Sequence, residues 1–214
     1  MMNLNHKIFM ALGAAAVFSF CPVGTNAPAA SYIGAASCEA ATPAVKAWDF
    51  SKDAGQWAFV GGWQYSGDAT TAWDAADGGR LKVSVDFSDD KDQSWSEVKL
   101  SDGAVTNATP IQVGAGVSQV SFDITYDASQ IKGDAALKAK VYGSSVKGDV
   151  VIDQPVDDLG LGSAKTVSGN MKKAHVRVIL EDKVTDNIGH LEISLVGYML
   201  GYKGDIYLDN IQLK

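Results

Sequence analysis

Between residues 80 and 87 the chain alternates without a break, with Leu81, Val83, Val85 and Phe87 on one side and Lys82, Ser84 and Asp86 on the other. Successive side chains of a strand point to opposite faces, so this pattern demands an extended segment with one face buried. It returns at Val120, Phe122, Ile124 and Tyr126, with Ser121, Asp123 and Thr125 opposite. Residues 137–141, 174–180 and 191–195 continue the series. Turn clusters such as Asp77-Gly78-Gly79, Lys132-Gly133-Asp134 and Gly160-Leu161-Gly162 separate them. Half-buried strands in this number, about ten, are expected to pair into an all-β antiparallel two-sheet β-sandwich. Residues 149–169, rich in Asp, Gly and Pro, read as its long loop. Residues 191–202 are apolar but too short to cross a bilayer, and read as a core strand followed by its turn.

The 214 residues are 46% hydrophobic, enough for one domain with its own core, and 22 Gly with 5 Trp suit a β protein. A formal charge of −7 argues against nucleic acid and anionic membrane surfaces and fits a neutral partner such as a polysaccharide. Residues 1–40 read as a signal peptide and short connector. Asn5-His6-Lys7 gives a weakly basic start, the run 8–20 is too short to span a membrane, and Ala27-Pro28-Ala29 or Cys38-Glu39-Ala40 offers a cleavage site. A secreted, extracellular domain over residues 41–214 is expected, without membrane insertion and as a monomer, with cell-surface association left open. Both cysteines, Cys21 and Cys38, fall in the leader, so the domain must rely on its core or a metal rather than on disulfides.

No nucleophile elbow, zinc-protease helix, phosphate loop, dinucleotide fingerprint or C-x-x-C motif is present, and no enzyme is expected. A pair of carboxylates doing glycoside hydrolysis would leave no motif, so a small polysaccharide-active enzyme stays as an alternative. His175 alternates with Val176 and Val178 and reads as a surface residue. The tryptophans say more. In Trp95-Ser96-Glu97-Val98-Lys99-Leu100, Val98 and Leu100 share the buried face, which puts Trp95 beside Glu97 and Lys99 on the other. A flat indole beside charged groups suits a pyranose, whose apolar C–H face stacks on the ring while its hydroxyls meet the charges. Trp63 and Trp73 are candidates for further platforms. Trp48 reads as core and Trp57 as half buried.

The chain's last segment, Tyr202-Lys203-Gly204-Asp205-Ile206-Tyr207-Leu208-Asp209-Asn210-Ile211-Gln212-Leu213, opens on a turn and runs through β-branched and aromatic residues, as a strand of the main sheet would. It resembles the final strand of secreted jelly-roll carbohydrate-binding modules. Trp48-Asp49-Phe50 with Gly55-Gln56-Trp57 resembles their opening, and residues 95–100 an early ligand-facing strand. The nearest resemblance is to the mannan-binding modules of family twenty-seven and its relatives, attached to bacterial β-mannanases.

That resemblance implies a non-catalytic module that grips β-mannan or glucomannan with surface tryptophans and polar side chains of the concave sheet. Carried onto this sequence it implicates Trp63, Trp73, Trp95, Glu97, Lys99, Arg177 and Glu192. No Trp follows position 95, so a third family tryptophan from later in the domain has no counterpart. The resemblance further implies a structural calcium ion joining the first and last strands, held by Asp49 and Asp209, since a hard cation satisfies carboxylates placed among apolar neighbours. The alternative is that Asp209 accepts backbone hydrogen bonds and Asp49 lies on the surface. Each platform would contribute about 2–3 kcal/mol, and two or three of them give roughly micromolar affinity. A structural or adhesive β-sandwich of the cell envelope is the competing function.

Overall fold

The computed structural model describes residues 44–103 and 109–214; the leader, with both cysteines, lies outside them. Twelve strands follow in order: β1 (Lys46–Trp48), β2 (Trp57–Trp63), β3 (Thr70–Asp74), β4 (Arg80–Asp86), β5 (Ser96–Asp102) and β6 (Val117–Asp127). The second half of the chain supplies β7 (Ala136–Ser145), β8 (Val150–Val156), β9 (Lys165–Ser168), β10 (Met171–Val184), β11 (Ile188–Tyr198) and β12 (Lys203–Leu213). They form two antiparallel sheets, one ordered β3-β4-β12-β6-β10-β9 with β1 added beside β12, the other ordered β2-β5-β11-β7-β8. This is the all-β jelly-roll sandwich expected from the alternation.

The inward faces of both sheets make the core. Leu81, Val83 and Phe87 of the β4 segment, Val98 and Leu100 of β5, and Phe122 and Ile124 of β6 have no exposed surface. The C-terminal strand is central to the larger sheet, paired along one side with β4 and then β1, and along the other with β6. Its register slips between Asp209 and Gln212, where Asn210 takes φ 49°. Asn tolerates that left-handed geometry better than a branched residue would, and the slip is a β-bulge.

Residues 149–169 are not one loop. β8 and β9 both lie within them, each at a sheet edge. The edge explains the composition, because an edge strand tolerates Pro155 and carries charged residues such as Asp153 and Lys165 without breaking a ladder on both sides. Trp57, expected half buried, is only 3% exposed and packs edge-on against Trp48 at 5.5 Å between ring centroids. β11 sits in the middle of the five-stranded sheet and is buried on both faces over most of its length. No described helix is long and apolar enough to cross a membrane.

Candidate carbohydrate-binding face

Register sets the outward face of the five-stranded sheet. On β5 it carries Glu97, Lys99 and Ser101, alternating with the buried Val98 and Leu100. Trp63 of β2 pairs directly with Glu97, so its ring stands on the same face, 51% exposed. On β11, Val196, Ser194 and Glu192 lie opposite Glu97, Lys99 and Ser101. On β7, Lys138, Lys140 and Tyr142 continue the same three rows. Trp63, Trp95, Glu97, Lys99 and Glu192 therefore come together.

The floor of this face is polar yet buried. Glu97 and Glu192 are 7% and 8% exposed, and Ser101 and Ser194 have no exposed surface. Such groups must find partners in the protein, and they do. The Trp95 indole N–H donates to Glu97 Oε1 at 2.6 Å. Lys99 Nζ lies 3.7 Å from both Glu97 Oε2 and Glu192 Oε1, and the Ser194 hydroxyl reaches the same two oxygens at 3.4 and 3.2 Å. Ser194 has one proton and Lys99 three, so each carboxylate keeps acceptor capacity for an incoming hydroxyl.

His190 closes the network. Its Nε2 lies 3.5 Å from Glu192 Oε2, its Nδ1 3.1 Å from the Ser101 hydroxyl, and its ring 6.2 Å from that of Tyr142. At the far margin Lys140 and Lys138 are held by Asp153 at 2.8 Å and Asp157 at 2.7 Å, and Lys138 lies over the Tyr198 ring. The Asp153 contact raises the pKa of Lys140, which keeps it charged. His190, Ser194, Lys140, Tyr142 and Tyr198 escaped sequence reasoning. Counting in twos from Glu192 finds His190 and Ser194, but β7 joins them only through its pairing with β11.

The other sheet holds the remaining candidates. Trp73 pairs with the buried Leu81 at the edge strand β3, and its indole N–H donates to the Phe50 carbonyl at 2.8 Å. Arg177 stands on the outward face of β10, where its Nε donates to Gln119 Oε1 at 2.6 Å. Neither side chain reaches the β5–β11 floor.

Asp49 and Asp209 have separate surroundings. Asp49 accepts from the backbone N–H and hydroxyl of Ser51, which lower its pKa. Asp209 accepts from the Asn210 N–H at 2.7 Å and lies 3.6 Å from Lys173 Nζ, while burial raises its pKa. Asp123, its cross-strand partner, is likewise half-buried. Hydrogen bonds from Asn210, His175 and Lys173 outweigh that burial and hold its pKa low. An ammonium already occupies the place a cation would take between these two carboxylates, and Asp49 is turned into its own local bend. This arrangement does not fit an ion shared by Asp49 and Asp209.

A jelly roll with aromatic rings beside a buried, hydrogen-bonding sheet face fits the class of carbohydrate-binding modules. The chain belongs to the family Carbohydrate binding module 27, whose profile matches residues 36–214 and whose members are non-catalytic. Caldicellulosiruptor saccharolyticus CBM27-1, solved in complex with mannohexaose, is similar with a TM-score of 0.59 at 16% identity, over 79% of this chain and 96% of that one. TmCBM27, dissected for specific mannan recognition, is similar with a TM-score of 0.51 at 20% identity, over 78% of this chain and 94% of that one. A family 28 module specific for non-crystalline cellulose gives 0.56 at 15% identity, over 74% of this chain and 88% of that one. At these identities the likeness is one of fold. No curated protein matches the chain.

Proposed function

We propose that the outward face of the five-stranded sheet binds a β-mannan or glucomannan chain, with Trp63 and Trp95 as stacking platforms. Glu97, Lys99 and Glu192 take the sugar hydroxyls, aided by His190 and Ser194. The observation that carries this reading is the pairing of Trp63 with Glu97, which sets two indoles over one buried polar floor. A sugar chain needs that combination, because each pyranose offers an apolar face and a rim of hydroxyls. The mannohexaose complex of one similar module and the mannan specificity of another support the choice of glycan.

The module is secreted through residues 1–40 and performs no catalysis. Titration calorimetry against mannohexaose, cellohexaose and xylohexaose tests the reading. The expected result is micromolar binding of mannohexaose, at least tenfold tighter than of the other two. Equal binding of all three removes the mannan assignment, and no binding of any glycan removes the function. Release of reducing ends from mannan by the purified protein would make it an enzyme, and an intact leader on protein recovered from the medium would refute its cleavage.

A further inference from the structure

A carboxylate that belongs to neither sheet ties together the two segments bearing the tryptophan platforms. Asp90 ends a 3₁₀ turn, Ser88–Asp90, and is 4% exposed. Its Oδ1 accepts from the Ser66 hydroxyl at 2.7 Å and the Ser66 N–H at 3.2 Å, with Oδ2 3.3 Å from that same N–H. Oδ2 also accepts from the Ser96 hydroxyl at 3.1 Å. Ser66 lies three residues beyond Trp63, and Ser96 directly follows Trp95. Among the described residues Asp90 forms no ion pair, so hydroxyl and amide donors alone hold this buried charge. A buried charge that depends on donors keeps them in place, because releasing one leaves it unsatisfied.

The β2–β5 ladder pairs Trp63 with Glu97, and further contacts hold the chain on either side of that pair. Gly62 could not carry a side chain, since a Cβ there would lie 2.8 Å from the Glu97 carbonyl and 2.9 Å from the Tyr65 Cβ. Tyr65 packs edge-on against Phe87 and its hydroxyl donates to the Asp68 carbonyl, so the chain doubles back immediately after Trp63. The Asp90 carbonyl accepts from Gln93 N–H, and the Gln93 carbonyl accepts from Met199 N–H, which fixes the approach to Trp95. We infer that Asp90 is a positioning residue that sets the spacing of Trp63 and Trp95 through Ser66 and Ser96, and so the register in which both rings meet one glycan chain. The inference rests on the proposal that those rings bind glycan.

The test compares Asp90→Ala, Asp90→Asn, Ser66→Ala and Ser96→Ala with the parent, using mannohexaose as probe. A core variant of the opposite sheet, Val120→Ala, controls for lost stability. Asp90→Ala should weaken mannohexaose at least tenfold, whereas Asp90→Asn, which keeps an acceptor for Ser66, should stay within about threefold. Each serine variant should lose part of the affinity, and Val120→Ala should retain it in its folded fraction. Labelling with 5-fluorotryptophan reads the same point without ligand. Asp90→Ala should shift the Trp63 and Trp95 resonances, assigned by Trp→Phe variants, and leave Trp73 in place. Should Asp90→Ala fail to fold, the serine variants carry the test. Parent-like affinity and unmoved Trp63 and Trp95 resonances in both would overturn the inference. If the parent binds no glycan while Asp90→Ala still moves those resonances, the positioning role stands and the mannan reading falls.

Discussion

The indole of Trp95, just ahead of β5, and the carboxylate of Glu97, two residues on in that strand, are joined by a 2.6 Å hydrogen bond. That bond satisfies the only polar atom of the ring and half of a buried carboxylate together. It also fixes the orientation of the indole, because Glu97 is itself held near Lys99. A ring immobilised before ligand arrives loses little side-chain entropy on binding, which favours affinity. Trp63 differs. Half of its surface is open and no hydrogen bond of its indole is formed among the described residues, so it can adjust to the chain.

Trp63→Ala and Trp95→Ala are therefore expected to separate. Trp63→Ala should keep the parent unfolding free energy within about 0.5 kcal/mol, as exposed substitutions do. Its binding should weaken by about 2–3 kcal/mol, roughly fifty- to a hundredfold. Trp95→Ala should lose similar affinity and also about 1–3 kcal/mol of stability, since Glu97 is left buried without its donor. Calorimetry and urea unfolding of the two variants check this. Parent-like affinity in either would remove that ring from the site.

Lys99→Met should destabilise the fold by about 1–3 kcal/mol. The ammonium is the cation nearest Glu97 and is shared with Glu192, but its side chain is 35% exposed and solvent screens the pair. The double variant Lys99→Met with Glu97→Gln should be less damaged than the sum of the two singles, because each removes the other's reason to be costly. Additive losses in urea unfolding would show that the three groups do not act as one network.

Much of this face was legible in the sequence, and the limit has a physical form. Period-two alternation tells which residues of a strand share a face, so Trp95, Glu97 and Lys99 could be grouped without a structure. It does not tell which sheet a strand joins. Trp73 and Arg177 carry suitable chemistry but belong to β3 and β10, on the far sheet, and only long-range pairing decides that. On β11 the alternation is muted, because Val196 and the buried Ser194 stand on the outward face beneath the network, so the strand reads as core throughout. The edge strands β8 and β9 were hidden for the opposite reason, since edges accept Pro, Asp and Lys and so look like loop.

Stability should fall at high pH through Tyr202. The side chain has no exposed surface, and its hydroxyl donates to the Asp205 carbonyl at 2.9 Å and accepts from the Asp127 N–H at 3.0 Å. Burial first, then the Asp127 and Asp205 charges, push its pKa up to about 12. The folded state thus favours the neutral phenol, whereas an unfolded tyrosine ionises near pH ~10. This contribution is complete below pH ~10 and is lost as pH climbs from there through about 12. Tyr202→Phe should cost about 1–2 kcal/mol at neutral pH through the lost hydrogen bonds and flatten that part of the alkaline decline. Urea midpoints between pH 8 and 11, taken for both proteins, provide the check. An unchanged alkaline slope in Tyr202→Phe would assign the decline to other groups.

Leu195 and Ser194 are neighbours on β11 that face opposite sides of the same sheet, and they give the sharpest separation of fold from binding. Leu195 points into the core with no exposed surface, opposite Val98 of β5 and Ala139 of β7. Leu195→Ala leaves a cavity where two sheets meet and should cost about 2–5 kcal/mol. For a domain of this size that lowers the unfolding midpoint on the order of 10 °C. No sugar-facing group moves with it, so the folded fraction should bind mannohexaose as the parent does. Ser194→Ala removes a hydroxyl lying between Glu97 and Glu192 and creates almost no cavity. Its stability cost should be about 1 kcal/mol, and its main effect should be on affinity, because the two carboxylates lose the donor that holds their oxygens in place. Calorimetric melting and mannohexaose titration of both variants decide the matter. Should Leu195→Ala lose affinity in its folded fraction while Ser194→Ala binds unchanged, the outward face of the five-stranded sheet is not where the glycan lies.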